Sequence, residues 1–124
     1  MHCDKIKTQL KKLKKLKELA MKMFTNVDVD ALANFYFEGK VSSRTLTLAN
    51  GEKKTLGVML PGEYRFDTAQ NELMEIQAGK VHVLLPGQAE WLTVESGGEF
   101  EVSAKMAFDI KVLEPTDYCC SYFE

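Results

Sequence analysis

The sequence predicts an all-β domain, a small sandwich or barrel, preceded by one amphipathic helix. Three observations carry this reading. From about residue 34 onward, short strand-like runs alternate with Gly- and Pro-containing turns. No helical period appears in that stretch. A helix-period apolar stripe is confined to the beginning of the chain. The chain has 124 residues, room for one domain with a single core, and its 45% hydrophobic and 27% charged content is that of a soluble globular protein.

The first element is the helix. Ile6, Leu10, Leu13, Leu16, Ala20 and Met23 recur at spacings of three and four, and most of the lysines among them lie off that stripe. Residues 1–30 carry a net charge of +4 and the remainder −6, so a basic head sits on an acidic body. Such a helix suits an anionic partner or a membrane surface. It equally suits a solvated lysine face whose other side packs on the body or on a second subunit. Thr25 to Asp30 is rich in cap and turn formers and is read as the junction. The expected division is a basic helical extension over 1–30 and a β domain over 31–124.

The body begins with an aromatic-rich run from Phe35 to Val41, followed by the alternating Thr45-Leu46-Thr47-Leu48. Asn50-Gly51 offers the φ > 0 pair of a tight hairpin and places a second strand near Thr55 to Leu60. Pro61-Gly62 turns into Glu63–Phe66, and further strands are expected at 73–77, 80–85, 90–94, 99–102, 107–113 and 118–123. No apolar run approaches the roughly 18–20 residues of a membrane span. Lys22 interrupts the only apolar cluster that a secretory signal could use. The three cysteines, Cys3, Cys119 and Cys120, do not make a disulfide framework, which points to a reducing cytoplasm. With an acidic body, sequence-specific nucleic-acid binding is not expected.

The stretch from Gly57 to Pro86 resembles a small cupin β-barrel. Glu72 and Gly79 stand with six residues between them, as in the cupin metal pattern. The positions for histidine are Arg65/Asp67 or Phe66/Thr68, and neither pair supplies an imidazole. Zinc, iron and copper sites need several imidazole or thiolate ligands, so no metal cofactor is expected. His82 is read as a hydrogen-bonded strand residue. Cys119 and Cys120, adjacent on a terminal strand, are read as structural, one facing in and one out. What remains is a set of aromatic and polar residues, Tyr64, Phe66, Thr68, Glu72, Met74, Phe100 and Phe108. It suits either a pocket for a flat, partly apolar ligand or the packed filling of a small barrel.

The motifs then resemble one family. Tyr36-Phe37-Glu38-Gly39-Lys40-Val41, the run Gly62-Glu63-Tyr64-Arg65-Phe66-Asp67-Thr68-Ala69, Val83-Leu84-Leu85-Pro86 and Glu114-Pro115-Thr116-Asp117-Tyr118 are similar, in order and spacing, to the pyrimidine/purine nucleoside phosphorylases. The likeness covers roughly residues 34–123. Ser103 stands where the family usually has Pro, and Met106 where it usually has Ser. The resemblance implies a small cytoplasmic cupin, commonly a homodimer. It also implies phosphorolysis of nucleosides with inorganic phosphate to free base and ribose 1-phosphate, without a metal. On that reading Glu72 and Thr68 act in catalysis, Tyr64, Phe66, Met74 and Phe108 line the base and ribose pocket, and Lys40 and Arg65 hold phosphate. The competing expectation is a non-catalytic cupin module that binds a nucleoside-like or sugar-like small molecule.

Overall fold

The computed structural model describes residues 23–124. Of the helical stripe expected over Ile6 to Met23, all but Met23 lies outside the described residues, and Met23 is in no helix. What is described is all-β: eleven strands in two antiparallel sheets. They are β1 (Asp28–Val29), β2 (Asn34–Tyr36), β3 (Val41–Thr47), β4 (Lys53–Met59), β5 (Gly62–Asp67) and β6 (Asn71–Ala78). The chain continues through β7 (Lys80–Leu84), β8 (Leu92–Glu95), β9 (Glu99–Val102), β10 (Ala107–Val112) and β11 (Thr116–Phe123).

The larger sheet runs β1-β3-β4-β11-β6-β9, with β2 also pairing β3; the smaller runs β5-β10-β7-β8. Among the described residues, no strand pairing joins one sheet to the other. The expected Asn50-Gly51 hairpin is present: Gly51 has φ +88 and its N–H donates to Leu48 O at 2.9 Å. The aromatic-rich run Phe35–Val41 is not a single strand. It is broken at Phe37–Gly39 by a turn in which Glu38 (φ 58) and Gly39 (φ 89) both adopt left-handed backbone. Two positive φ values in succession are the signature of a type I′ hairpin turn, so β2 folds back on β3 instead of continuing into it.

The core lies between the sheets. Alternation assigns the inner residues, and the ladders set them side by side: Ser43 pairs Gly57, which pairs Tyr118, while Thr55 pairs Cys120, which pairs Met74, which pairs Phe100. Val41, Met59, Ile76, Val81, Val83 and Ile110 are almost wholly buried there. Gly57 is needed for this packing. A Cβ at that position would lie 2.1 Å from Ser42 O and 2.6 Å from the Tyr118 ring, so only hydrogen lets Tyr118 lie across β4. The two adjacent cysteines divide as expected for a strand. Cys120 joins the core, whereas Cys119 pairs Leu56 and Glu75 on the opposite face; both are buried and unpaired by disulfide.

Candidate active site: an aromatic cavity between the sheets

A cavity of about 170 Å³ opens between the sheets, lined on the larger sheet by Ser43, Thr55, Met59, Glu72, Met74, Tyr118, Cys120 and Tyr122. Phe66, Asp67 and Phe108 close it from the smaller sheet, and Tyr36 from the β2 end. Each wall follows from strand period two: Tyr118, Cys120 and Tyr122 alternate on β11, and Glu72 and Met74 on β6. Thr55 and Tyr122 also line a wide, open cleft of about 840 Å³ that includes Lys53, Asn71, Asp30 and Glu52, so the inner cavity and the outer cleft are contiguous.

Aromatic rings dominate the inner wall. Phe66 and Phe108 stack at 5.6 Å with their planes 26° apart, and Phe100 meets Phe108 edge-on at 5.6 Å. Such faces accept a flat conjugated ligand without reading its polar edge. The polar contribution comes from Glu72, placed beside Tyr122 by the β6–β11 register, with the Tyr122 and Thr55 hydroxyls 3.3 Å apart. Burial raises the Glu72 carboxyl above the usual carboxylate range. Burial likewise pushes the Cys120 thiol and the Tyr122 phenol up to about 12 each. At neutral pH the Cys120 thiol therefore keeps its proton, which removes it as a nucleophile.

The sequence-selected residues separate in space. Phe66, Glu72, Met74 and Phe108 come together around the cavity. Tyr64 is buried behind it, its hydroxyl donating to Leu60 O at 2.6 Å. Thr68 is buried too; its hydroxyl donates to Ser103 O at 2.6 Å and accepts from Met106 N–H at 3.1 Å. Arg65 points outward and pairs with Asp109 at 3.1 Å. Lys40 is exposed on the turn before β3. Neither Lys40 nor Arg65 lines the inner cavity or the outer cleft. Tyr36, Tyr118 and Tyr122 are the aromatic lining residues that motif reasoning did not select; period-two spacing on β11 was the available signal for the last two.

The donors at the cavity do not fit a cupin metal. Among the described residues, Glu72, Asp67 and Cys120 supply its carboxyl and thiol groups and no imidazole lines it. His82 lies on β7, where its Nδ1 is 3.0 Å from Thr93 Oγ1. Among the described residues no three His, Cys, Asp or Glu side chains gather as a metal would require. Nor is any helix among them long and apolar enough to cross a membrane.

Fold and cavity define a two-sheet β protein with an aromatic cavity between the sheets that also carries the carboxyls of Glu72 and Asp67. Comparison with known proteins gives the family. The pyrimidine/purine nucleoside phosphorylase family model matches residues 31–122. A pyrimidine/purine nucleoside phosphorylase of Sulfurovum sp. (strain NBC37-1) is 54% identical over 102 residues, 82% of this chain and 99% of that protein. One of Clostridioides difficile (strain 630) is also 54% identical, over 82% of this chain and 97% of its own. Among solved structures, a protein of unknown function from Acinetobacter sp. ADP1 is 35% identical with a TM-score of 0.80, covering 82% of this chain and 98% of its own. The chain belongs to the pyrimidine/purine nucleoside phosphorylase family.

Proposed function

We propose that this chain carries out phosphorolysis of purine and pyrimidine nucleosides, releasing free base and ribose 1-phosphate without a metal, in a cupin barrel whose walls are the two sheets. The observation that carries the reading is the placement of Glu72, its carboxyl raised by burial, beside the stacked Phe66 and Phe108 in a family-matched cavity. At 170 Å³ the cavity is well below the roughly 300 Å³ where sites for drug-sized ligands begin, so it takes one ring system and leaves the remainder of a nucleoside to the joined cleft.

In the reaction the C1′–N bond breaks with its electron pair passing to the base. A phosphate oxygen forms the new bond to C1′, and the base accepts a proton. Glu72 donates or shares that proton, which its raised affinity for it favours. Phe66, Phe108 and Met74 hold the base, while Tyr64 and Thr68 act from behind by fixing the wall. Phosphate falls to Lys53, the basic residue lining the outer cleft, with Thr55 at the boundary of the two spaces. Holding three groups in line accounts for much of the acceleration.

A second reading is favoured by one observation: among the described residues, no basic side chain lines the inner cavity. On it the chain is a cupin module that binds a nucleoside-like or sugar-like molecule without turning it over. A phosphate-dependent assay over a panel of nucleosides separates the two. Base release only in the presence of phosphate, unchanged by chelators, is expected. Thermal stabilisation by nucleosides with no turnover on any of them would favour the binding module. A cytoplasmic homodimer completes the proposal; the exposed Leu32, Phe35 and Val58 offer apolar surface for the second copy.

A further inference from the structure

The turn between β2 and β3 is strained at the place where it meets the cavity. Phe37, Glu38 and Gly39 all have left-handed backbone, with φ values of 52, 58 and 89. Only the glycine adopts that region freely; a bulky aromatic there is a genuine outlier. Left-handed non-glycine residues persist where surrounding structure over-determines them, and they cluster at ligand clamps.

The surrounding contacts can be named. Lys40 N–H donates to Phe37 O at 3.1 Å, closing the turn, and Leu60 N–H donates to Lys40 O at 2.8 Å, tying it to the end of β4. The Phe37 ring is thereby laid across the gap from the larger sheet to β5 of the smaller one. It packs 4.9 Å from Tyr64 and meets Phe66 edge-on at 5.3 Å. Phe66 in turn stacks on Phe108 inside the cavity. Tyr36, one residue before the turn, lines the cavity itself while remaining 47% exposed. A strand that simply continued from β2 would carry both rings away from β5.

We propose that Tyr36 and Phe37 form a preset aromatic strap over the base site: Tyr36 contacts the base directly, and Phe37 positions Phe66 beneath it. The left-handed turn is what holds the two rings against the smaller sheet. This rests on the nucleoside reading above and names the elements that set its affinity for the base. Stacking on a ring tolerates any base, so the strap strengthens binding of purines and pyrimidines alike.

The test uses the full chain. Steady-state kinetics on uridine and inosine compare wild type with Tyr36→Ala, Tyr36→Phe, Phe37→Ala and Phe37→Tyr. Loss of one stacking ring is expected to raise nucleoside KM about tenfold for Tyr36→Ala, with phosphate KM unchanged and Tyr36→Phe restoring the wild-type value. Phe37→Ala shifts KM in the same direction by less, and Phe37→Tyr rescues it. Should Phe37→Ala fail to fold, the Tyr36 pair decides alone. Tyr36→Ala with an unaltered nucleoside KM overturns the strap. Absence of turnover in the wild type overturns the phosphorylase reading instead. Calorimetry with free uracil then judges the strap: tenfold weaker binding by Tyr36→Ala supports it, and equal binding or none overturns it.

Discussion

Two of the places where the sheets meet are built on different physics. One lies where the chain crosses between sheets twice, at the β5–β6 corner and the β9–β10 corner. Thr68 fastens these corners: its N–H donates to Met106 O at 2.9 Å, its carbonyl accepts from Lys105 N–H at 2.8 Å, and its hydroxyl bonds Ser103 and Met106. Asn71 adds a bond from Ala104 N–H at 2.8 Å. The other seam is the turn at Phe37–Gly39, held by ring contacts on strained backbone. The hydrogen-bonded seam is satisfied within itself: Thr68 lines neither the inner cavity nor the outer cleft, and only the Asn71–Ala104 end reaches the cleft. The aromatic seam contributes to the cavity wall. Stability is therefore concentrated at one seam and ligand contact at the other.

The contrast also accounts for the two departures from the family. Every hydrogen bond between Thr68 and positions 103 and 106 uses the backbone of those two residues. Ser103 and Met106 therefore preserve this seam despite their changed side chains.

The largest expected effect separates chemistry from stability at Glu72. Glu72→Gln keeps the shape of the residue and removes the proton; a general-acid role is worth about 10²-fold or more in turnover, and kcat is the measurement. Its stability moves the other way. Burial makes the folded chain hold this proton more tightly than the unfolded chain does. The Glu72 contribution to folding is thus fully present below the ordinary carboxylate value and is lost as pH rises through the raised one. The variant should melt at or above the wild-type temperature at pH 7, and that advantage should vanish on acidification. Wild-type kcat in Glu72→Gln would remove Glu72 from the chemistry.

Thr68→Val should do the reverse. It leaves Met106 N–H without its hydroxyl acceptor and removes the bond to Ser103 O, a loss of about 1–3 kcal/mol for buried polar groups left unsatisfied. Denaturant unfolding reads this directly, while nucleoside KM in the folded fraction should hold. A large KM change with unaltered stability would return Thr68 to the catalytic role that its family motif suggests.

Much of the fold was legible because strand alternation and turn residues are local. β6, β7, β9 and β10 fall within a residue or two of the runs that predicted them. The strap was not legible. Its positive φ values sit inside an aromatic-rich run, where only Glu38-Gly39 marks the turn. At the site, Glu72, Met74, Phe66 and Phe108 could be found because motif and alternation agree on them. Tyr118 and Tyr122 share a strand with two cysteines that drew the attention, although their spacing of four already placed them on one face. Lys40 and Arg65 were chosen for charge alone, and charge carries no direction.

Arg65 gives the smallest expected effect and the sharpest check on that last point. Alternation along β5 puts it on the face opposite Phe66, and the β5–β10 register sets it across from Asp109. Both Asp109 carboxylate oxygens lie 3.1 Å from the same guanidinium nitrogen, yet the Arg65 side chain is 67% exposed. Exposed pairs of this kind contribute about 0–1 kcal/mol, because solvent screens the attraction and both side chains lose freedom. Arg65→Ala should therefore cost less than Thr68→Val in denaturant and leave the phosphate KM unchanged. Lys53→Ala, on the cleft that joins the cavity, should raise it. The reverse ranking of those two phosphate KM values would mean that phosphate approaches over the outer face of β5, and the outer cleft would lose the role given to it.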